Sequence, residues 1–275
     1  MGLAQELGYD DDARLLIVTA DNLGAYHAAN IAAYESLRDG IATTASVMVP
    51  APWSREAVRG YRGSDVGVSL TLNAEFECYR WSSITRSPTL HSGEGGFPRS
   101  VVDLWEHADA AEVRRECRAQ IERAIVWGFD PTHLDSHLDV LVFRPDLFDI
   151  YIELALEFAL PVRLADPIRE GGAGFPLREL ARDEGLLSPD QSVRLKGSDR
   201  RAAFAAVVET MAPGVTELSV QPGTDTPELR ALSPAPLERI GEHDLLIDPA
   251  SASMLATAGI KLISWSTLRE AQRSR

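Results

Sequence analysis

Residues 15–49 read LLIVTADNLGAYHAANIAAYESLRDGIATTASVMV and contain a strand-like run, a turn, a helical stretch and a second strand-like run. The first run, Leu15–Ala20, is short, apolar and rich in β-branched residues, which is typical of a strand buried on both faces. An amphipathic stretch follows the turn Asp21–Gly24 and stops at Gly40, and Thr43–Val49 is again strand-like. This strand–helix–strand order predicts a parallel sheet in an α/β protein.

Five further strand candidates continue the alternation: Val66–Leu72, Thr132–His137, Val162–Ala165, Glu217–Gln221 and Ile260–Trp265. Ala110–Trp127 and Leu147–Leu160 are the clearest helices between them. The stretch Asp166–Asp199 has no regular pattern, which predicts either a lid or a loop that makes an excursion from the βα units. Seven strands in a chain of 275 residues close most simply into a modified TIM-like barrel that forms one domain, although a doubly wound open sheet fits the pattern almost as well.

The amino-acid composition is that of an ordinary globular protein, and its excess of acidic residues limits the classes of molecule that the protein is expected to bind. Hydrophobic residues make up 45% of the chain, and the net charge of −14 disfavours nucleic acid and anionic lipid. The N-terminus lacks a signal-peptide core, and no apolar run is long enough to span a bilayer. We therefore expect a cytoplasmic protein that acts on a small molecule and can form a homo-oligomer. Cys78 and Cys117 lack CxxC spacing and predict two buried thiols.

Residues 77–105 differ from the βα units around them. They include the stretch YRWSSITRSPTLHSGEGGFPRS, which is punctuated by Gly, Pro and Ser and contains several aromatic residues. Long irregular loops in compact domains usually line or cover a site. We therefore expect this loop to cover the site and to supply substrate contacts, with Tyr79, Arg80, Trp81 and His91 as the candidates.

Polar residues stand where two of the predicted strands end, and parallel barrels place their chemistry at those ends. Asp21 can serve as a general base and Asn22 as a weak metal ligand, although either can instead cap the following helix. In Thr132–Asp139, alternation puts four titratable residues on one face: His133, Asp135, His137 and Asp139. Four such groups facing a barrel lumen are costly without a function, so the cluster favours a site over a solvent-facing edge strand.

The polar residues of the other strands are less informative. Ser69 in VGVSLTL and Gln221 in ELSVQPG are, by residue type, more often satisfied core hydroxyls and amides than catalysts. Arg163 in VRL can contact an anionic group, pair with a site carboxylate or form a structural ion pair. The chain contains no nucleophile elbow, Walker loop, zincin helix or dinucleotide fingerprint.

Five blocks, taken in order, resemble the YdjC/ChbG family of carbohydrate deacetylases, which is also described as polysaccharide deacetylase-like. The blocks are residues 15–50, VGVSLTL, THLDSH, FALPVRL and ELSVQPG, and they cover most of the chain. The resemblance implies a modified TIM-like barrel and the removal of an acetyl group from an amino sugar. It also implies assistance by a divalent metal, zinc or magnesium.

Three of the positions that carry the family's chemistry are altered in this chain. The family has Asp-Asp where this chain has Asp21-Asn22, a histidine at the position of Ser69 and another at that of Gln221. A catalytic zinc usually has three ligands drawn from His, Asp, Glu or Cys, and an amide and a hydroxyl are weak substitutes. The altered positions predict a metal site that is weakened or absent.

The resemblance assigns roles to the positions that match. It implies Asp21 as the base, further catalytic roles for Asp135, His137 and Gln221, and a metal-ligand set of Asn22, Ser69 and His137. Three hypotheses stay open on this basis. The protein is a deacetylase with a weakly held ion, a metal-independent lyase, isomerase or cyclase that uses Asp21 and His137, or a barrel that only binds a small molecule.

Overall fold

The computed structural model describes residues 2–93, 95–166, 169 and 171–275. In this part of the chain the strands are parallel and form one curved sheet, in the order β4-β3-β2-β1-β6-β5 with β7 against the start of β1. The strands are β1 (Arg14–Leu23), β2 (Thr44–Val47), β3 (Val66–Leu70), β4 (Pro131–Ser136), β5 (Gln191–Arg194), β6 (Gly214–Val220) and β7 (Lys261–Leu262). The predicted α/β class and modified TIM-like barrel are confirmed.

Helices connect the strands and pack against the sheet. They are α1 (Leu3–Glu6), α2 (His27–Asp39), α3 (Ser54–Gly60), α4 (Val101–His107), α5 (Ala110–Val126), α6 (Pro145–Glu157), α7 (Leu177–Asp183), α8 (Arg200–Thr210), α9 (Pro227–Leu232), α10 (Pro236–Ile247), α11 (Pro249–Thr257) and α12 (Trp265–Arg273). The two clearest helix predictions are confirmed as α5 and α6. None of the described helices is both long and apolar enough to cross a membrane.

One predicted strand is wrong and another strand was missed. In Val162–Ala165 only Val162 makes a bridge, to Leu134, so this segment is not a regular strand. The missing strand is β5, which lies with α7 inside the stretch predicted to be irregular, Asp166–Asp199. Its sequence QSVR is polar and its side chains are exposed or half-buried, so no apolar run marks it. Pro167, Ile168 and Glu170 of that stretch lie outside the described residues.

The predicted long loop also contains regular structure. Its last part forms α4, whose first turn is capped by Ser100 Oγ accepting a hydrogen bond from Asp103 N at 3.1 Å. A short 3-10 turn lies earlier in the loop, at Pro88–Leu90, and Glu94 lies outside the described residues. Cys78 in this loop is exposed, whereas Cys117 is buried as expected.

Alternation along β1 places the polar end of the strand inside the barrel. Leu15 and Ile17 pack with Trp265 in one apolar cluster on the inner face. Because side chains alternate along a strand, Thr19 and Asp21 continue the same face. The apolar part of β1 thus anchors the strand, and the carboxyl end of the strand places the Asp21 side chain in the interior.

His133 on β4 belongs to the packed interior. Its ring stacks on Trp265 with centroids 4.5 Å apart, and its Nε2 lies 2.9 Å from Ser46 Oγ. A Cβ at Gly67 would lie 2.3 Å from this ring, so only glycine fits on the neighbouring strand. We conclude that His133 is a core histidine, and burial lowers its pKa well below the usual value.

The depressed pKa of His133 predicts a pH-dependent stability. Because the unfolded chain binds this proton more readily, the stability from the neutral ring is complete above about pH 6.5 and is lost as the pH falls below that value. In urea titrations, the wild-type unfolding free energy should fall below pH 6.5 by up to about 1.4 kcal/mol per pH unit more than that of His133→Gln. His91→Gln, the control, should keep the wild-type slope. Equal slopes for His133→Gln and the wild type would contradict the prediction.

Candidate active site

The candidate site is organised around one buried guanidinium, that of Arg163. Its Nε donates to both oxygens of Glu217 at 2.9 Å and its Nη2 donates to Glu217 Oε1 at 2.6 Å. Its Nη1 donates to Asp21 Oδ1 at 3.0 Å and lies 3.6 Å from Asp135 Oδ2. Burial opposes the charged form, but the carboxylates outweigh it and raise the pKa of Arg163. We call these four residues the Arg163 cluster.

Neutral donors add further hydrogen bonds to each of the three carboxylates. Each carboxylate needs such partners because a buried charge without them is unstable. The donors are Thr19 Oγ1 and Trp265 Nε1 to Glu217 Oε1 at 2.6 and 3.1 Å, Ser69 Oγ to Asp135 Oδ1 at 2.6 Å, and Ser219 Oγ to Asp21 Oδ2. Ser69 is therefore engaged with a carboxylate.

Asp135 differs from the other two carboxylates in one respect. Its Oδ2 is buried and accepts no hydrogen bond from the described residues. Burial raises the pKa of Asp135, with Arg163 opposing and Asp21 reinforcing the shift. Asp21 and Asp135 thus share one cation, and Asp135 keeps an oxygen free to accept a hydrogen bond or a proton.

His137 lies where β4 ends and is held by Glu75, a residue that sequence reasoning did not single out. The ring Nε2 is 3.0 Å from Glu75 Oε2. Burial disfavours the imidazolium, but the Glu75 carboxylate outweighs it, and the charges of Asp135 and Asp21 add to the effect, so the pKa of His137 is raised. The site therefore combines a protonatable imidazole with nearby carboxylates.

The predicted alternation on β4 ends at His137. Leu138 and Asp139 both have a φ of 56°, in the left-handed region, within the 3-10 turn His137–Asp139. Asp139 turns away to pair with Arg169, whose Nη1 is 2.5 Å from Asp139 Oδ2. The prediction of four residues on one face thus fails for Asp139, because the strand does not extend that far.

Asn22 and Gln221 lie at the ends of β1 and β6. Asn22 has a φ of 66° at an irregularity of β1, and its side chain makes no hydrogen bond to the described residues. Neither it nor Asp21 caps α2, because the N-cap residue is Tyr26. Gln221 is half-buried, and its backbone N donates to Glu242 Oε2 at 2.7 Å.

These residues do not fit a tightly bound divalent metal. Among the described residues, no three His, Cys, Asp or Glu side chains are grouped to hold an ion. Of the expected set, Asn22 is a neutral amide, Ser69 donates to Asp135 and His137 pairs with Glu75. The Arg163 guanidinium already pairs with Asp21 and Asp135, and its positive charge repels a second cation.

Comparison with known proteins gives the family. The model of the family described as YdjC-like protein matches residues 15–257. A carbohydrate deacetylase of Thermus thermophilus is 35% identical over 98% of this chain and 99% of the relative. The chain belongs to the YdjC-like family. A carbohydrate deacetylase of Geobacillus stearothermophilus is 29% identical over 92% of this chain and 97% of the relative.

The fold of this YdjC-like protein also has a solved counterpart. The crystal structure of a protein from Enterococcus faecalis V583 superposes with a TM-score of 0.81 and 24% identity, covering 93% of this chain and 99% of that one. The superposition therefore takes in nearly the whole of both chains. It supports the modified barrel independently of the sequence matches.

The loop residues predicted to contact substrate stabilise the loop itself. Tyr79 donates from its hydroxyl to Ala25 O at 2.9 Å, and Trp81 is buried against Tyr79. Arg80 donates to Phe97 O at 2.6 Å, and His91 Nε2 lies 3.0 Å from Ser83 Oγ. In the described part of the chain none of these four side chains bonds to the Arg163 cluster, and their contact with substrate stays a prediction.

Three residues of the site were missed by sequence reasoning. Glu217 and Ser219 lie in a segment whose pattern predicts only a strand, yet both side chains point inward, to Arg163 and Asp21. The alternation Glu217, Ser219, Gln221 was a usable signal, because it repeats the pattern that marked β4. Glu75 had no such signal, since it lies in an irregular segment after β3.

The altered ligand positions predict weak zinc binding. We expect Asn22→Asp/Ser69→His to bind Zn²⁺ at least about 100-fold more tightly than the wild type in isothermal titration calorimetry, because two strong ligands then join His137. Adding His137→Ala should abolish the gain. A wild-type protein that keeps one zinc per chain through dialysis against a chelator would contradict the prediction.

The contacts of the Arg163 cluster predict that removal of the Arg163 guanidinium greatly lowers the free energy of unfolding. Arg163→Met should lower the unfolding free energy by about 3–5 kcal/mol, because three buried carboxylates lose their counter-charge. Adding Glu217→Gln should recover part of this loss. Arg201→Met, at an exposed position, serves as the control and should change the unfolding free energy by under about 0.5 kcal/mol. A loss below about 1 kcal/mol for Arg163→Met, or no recovery in the double variant, would contradict the assignment.

Proposed function

We propose that this protein is a hydrolase that removes the acetyl group from an N-acetylated sugar. The observation that carries the proposal is the juxtaposition of carboxylates on Arg163 with an imidazole paired to Glu75. Amide hydrolysis needs one group to accept a proton from water and another to protonate the leaving nitrogen. The Thermus and Geobacillus relatives that align over most of the chain are named carbohydrate deacetylases, which supports this chemistry.

In the proposed reaction, Asp21 accepts a proton from a water molecule as the water oxygen attacks the acetyl carbon. Arg163 and Ser219 hold the Asp21 carboxylate in place, and Asp135 supports the same cation from β4. The tetrahedral intermediate then collapses with cleavage of the carbon–nitrogen bond. Acetate and the free amino sugar are the products.

His137 supplies the proton that the leaving nitrogen needs. Its pairing with Glu75 favours the protonated ring, which suits a general acid. We assign to Gln221, which follows β6, the donation of its side-chain amide to the acetyl oxygen as negative charge develops there. Glu75 acts as a positioning residue, since it works through His137.

No step of this reaction is assigned to a metal ion, because the donor set does not fit one. The lyase, isomerase or cyclase hypothesis and the binding-only hypothesis gain no support from the relatives, each of which is named a deacetylase. A small sugar as partner follows from the same names. The cytoplasmic location and the homo-oligomer stay predictions.

The proposal is tested by acetate release from a dimer of N-acetylglucosamine. Asp21→Asn should lower kcat by about 100-fold or more, since a general base contributes that much. Glu75→Gln should lower kcat by about tenfold, because the imidazolium loses its counter-charge. Glu77→Gln is a matched control in the same segment, and its exposed side chain should leave kcat unchanged.

Folding of each variant is checked by its urea midpoint, so that loss of activity is separated from loss of structure. No acetate release by the folded wild type, or full activity in folded Asp21→Asn, would refute the proposed function.

A further inference from the structure

The pairing of Glu75 with His137 depends on a stretch of backbone that pairs with no strand of the described sheet. β3 ends at Leu70, and residues 71–76, which carry Glu75, follow it as irregular and largely buried chain. Buried backbone N–H and C=O groups need hydrogen-bond partners, and outside a sheet these must come from elsewhere. The partners of this segment therefore decide where the Glu75 carboxylate lies.

Gln120 of α5 supplies such partners at the point where the chain leaves β3. Its Oε1 accepts a hydrogen bond from Thr71 N at 2.9 Å, and its Nε2 donates to Thr71 O at 2.8 Å. The side-chain amide thus pairs with both backbone groups of Thr71, as a residue of a neighbouring strand would. Gln120 is fully buried, so these bonds are shielded from water.

Glu116, one turn earlier on α5, fixes the orientation of this amide. Its Oε1 accepts the second Nε2 hydrogen of Gln120 at 2.9 Å. A reversed amide would place Nε2 against Thr71 N, so only one orientation satisfies all these contacts. Glu116 Oε2 also accepts hydrogen bonds from N and Oγ1 of Thr85 in the long loop, at 2.9 and 2.5 Å. Two residues of α5 therefore hold both the loop and the start of residues 71–76.

On the far side of Glu75 the segment is held by the long loop. Phe76 packs edge-to-face against Trp81 of that loop, with ring centroids 5.9 Å apart. Asn73 Nδ2 donates to Pro98 O in the same loop at 3.1 Å. Loss of the anchor on α5 would leave the segment held by the loop alone.

We propose that Gln120 is a positioning residue for the proposed general acid, because it holds residues 71–76 so that Glu75 stays paired with His137. The inference rests on the proposed function of His137 and adds a residue that touches neither substrate nor reacting atoms. Small displacements of supporting groups slow a reaction because they disturb the alignment of the groups that react. Glu116 acts one step further away, since it fixes the Gln120 amide.

The kinetic test is a double-mutant cycle on acetate release from the N-acetylglucosamine dimer. Gln120→Met removes the hydrogen bonds and keeps an unbranched side chain of similar size. It should lower kcat about fivefold and leave KM within about twofold of the wild type. In the Glu75→Gln background the same change should lower kcat by less than about twofold, because residues that act through one another are not additive. Gln191→Met, at an exposed position on β5, is the matched control and should leave kcat and KM unchanged.

Hydrogen–deuterium exchange tests the anchor without turnover. Residues 71–76 should exchange at least about tenfold faster in Gln120→Met than in the wild type, measured relative to β1 of the same protein. If Gln120→Met does not fold, Gln120→Glu takes its place and should show the same changes. That variant keeps the acceptor for Thr71 N and loses both donors.

Fully additive effects in the cycle, or unchanged exchange of residues 71–76, would overturn the positioning role of Gln120. A folded wild type that releases no acetate refutes the proposed hydrolase instead, and the exchange result alone then decides whether Gln120 holds the segment that carries Glu75.

Discussion

The interaction on which the interior of this protein depends is the sharing of one guanidinium by three buried carboxylates. Glu217 is fully buried, and Asp21, Asp135 and Arg163 are each less than 10% exposed. A carboxylate in such surroundings is unstable unless a cation and hydrogen-bond donors accompany it. Arg163 supplies the cation to β1, β4 and β6 together, so its guanidinium links three strands at the polar end of the barrel.

This arrangement also gives the altered Ser69 and the retained His137 protein partners in place of a metal ion. Where the family pattern has metal ligands, this chain has a serine that donates to Asp135 and a histidine that pairs with Glu75. Neither side chain is left without a partner, as buried polar groups require. The positive charge near Asp21 and Asp135 belongs to the protein itself, on the guanidinium of Arg163.

Much of this structure was predictable from periodicity. The βα alternation of residues 15–49 indicated the class of fold, and the alternating residues of β4 marked Asp135 and His137 as inward-facing. The same reasoning failed at β5, because the short polar segment QSVR owes its strand conformation to pairing with β6 and to no pattern of its own. It also failed at Asp139, where a left-handed turn ends the strand.

Contacts between distant segments were beyond sequence reasoning for a different reason. Arg163 is 142 residues from Asp21 and 54 from Glu217 along the chain. Glu75 reaches His137 across 62 residues. Such pairings depend on how the sheet curves, which single-strand patterns do not encode.

The claim that Arg163, and not a metal ion, supplies the positive charge of the site is tested most directly by the rate of acetate release after exhaustive chelation. We predict that the folded protein, dialysed against EDTA and assayed in metal-free buffer with an N-acetylglucosamine dimer, turns over at the same rate as protein supplied with zinc or magnesium. An enzyme that is inactive after chelation and recovers when either ion is returned would contradict the role of Arg163 as the cation of the active site.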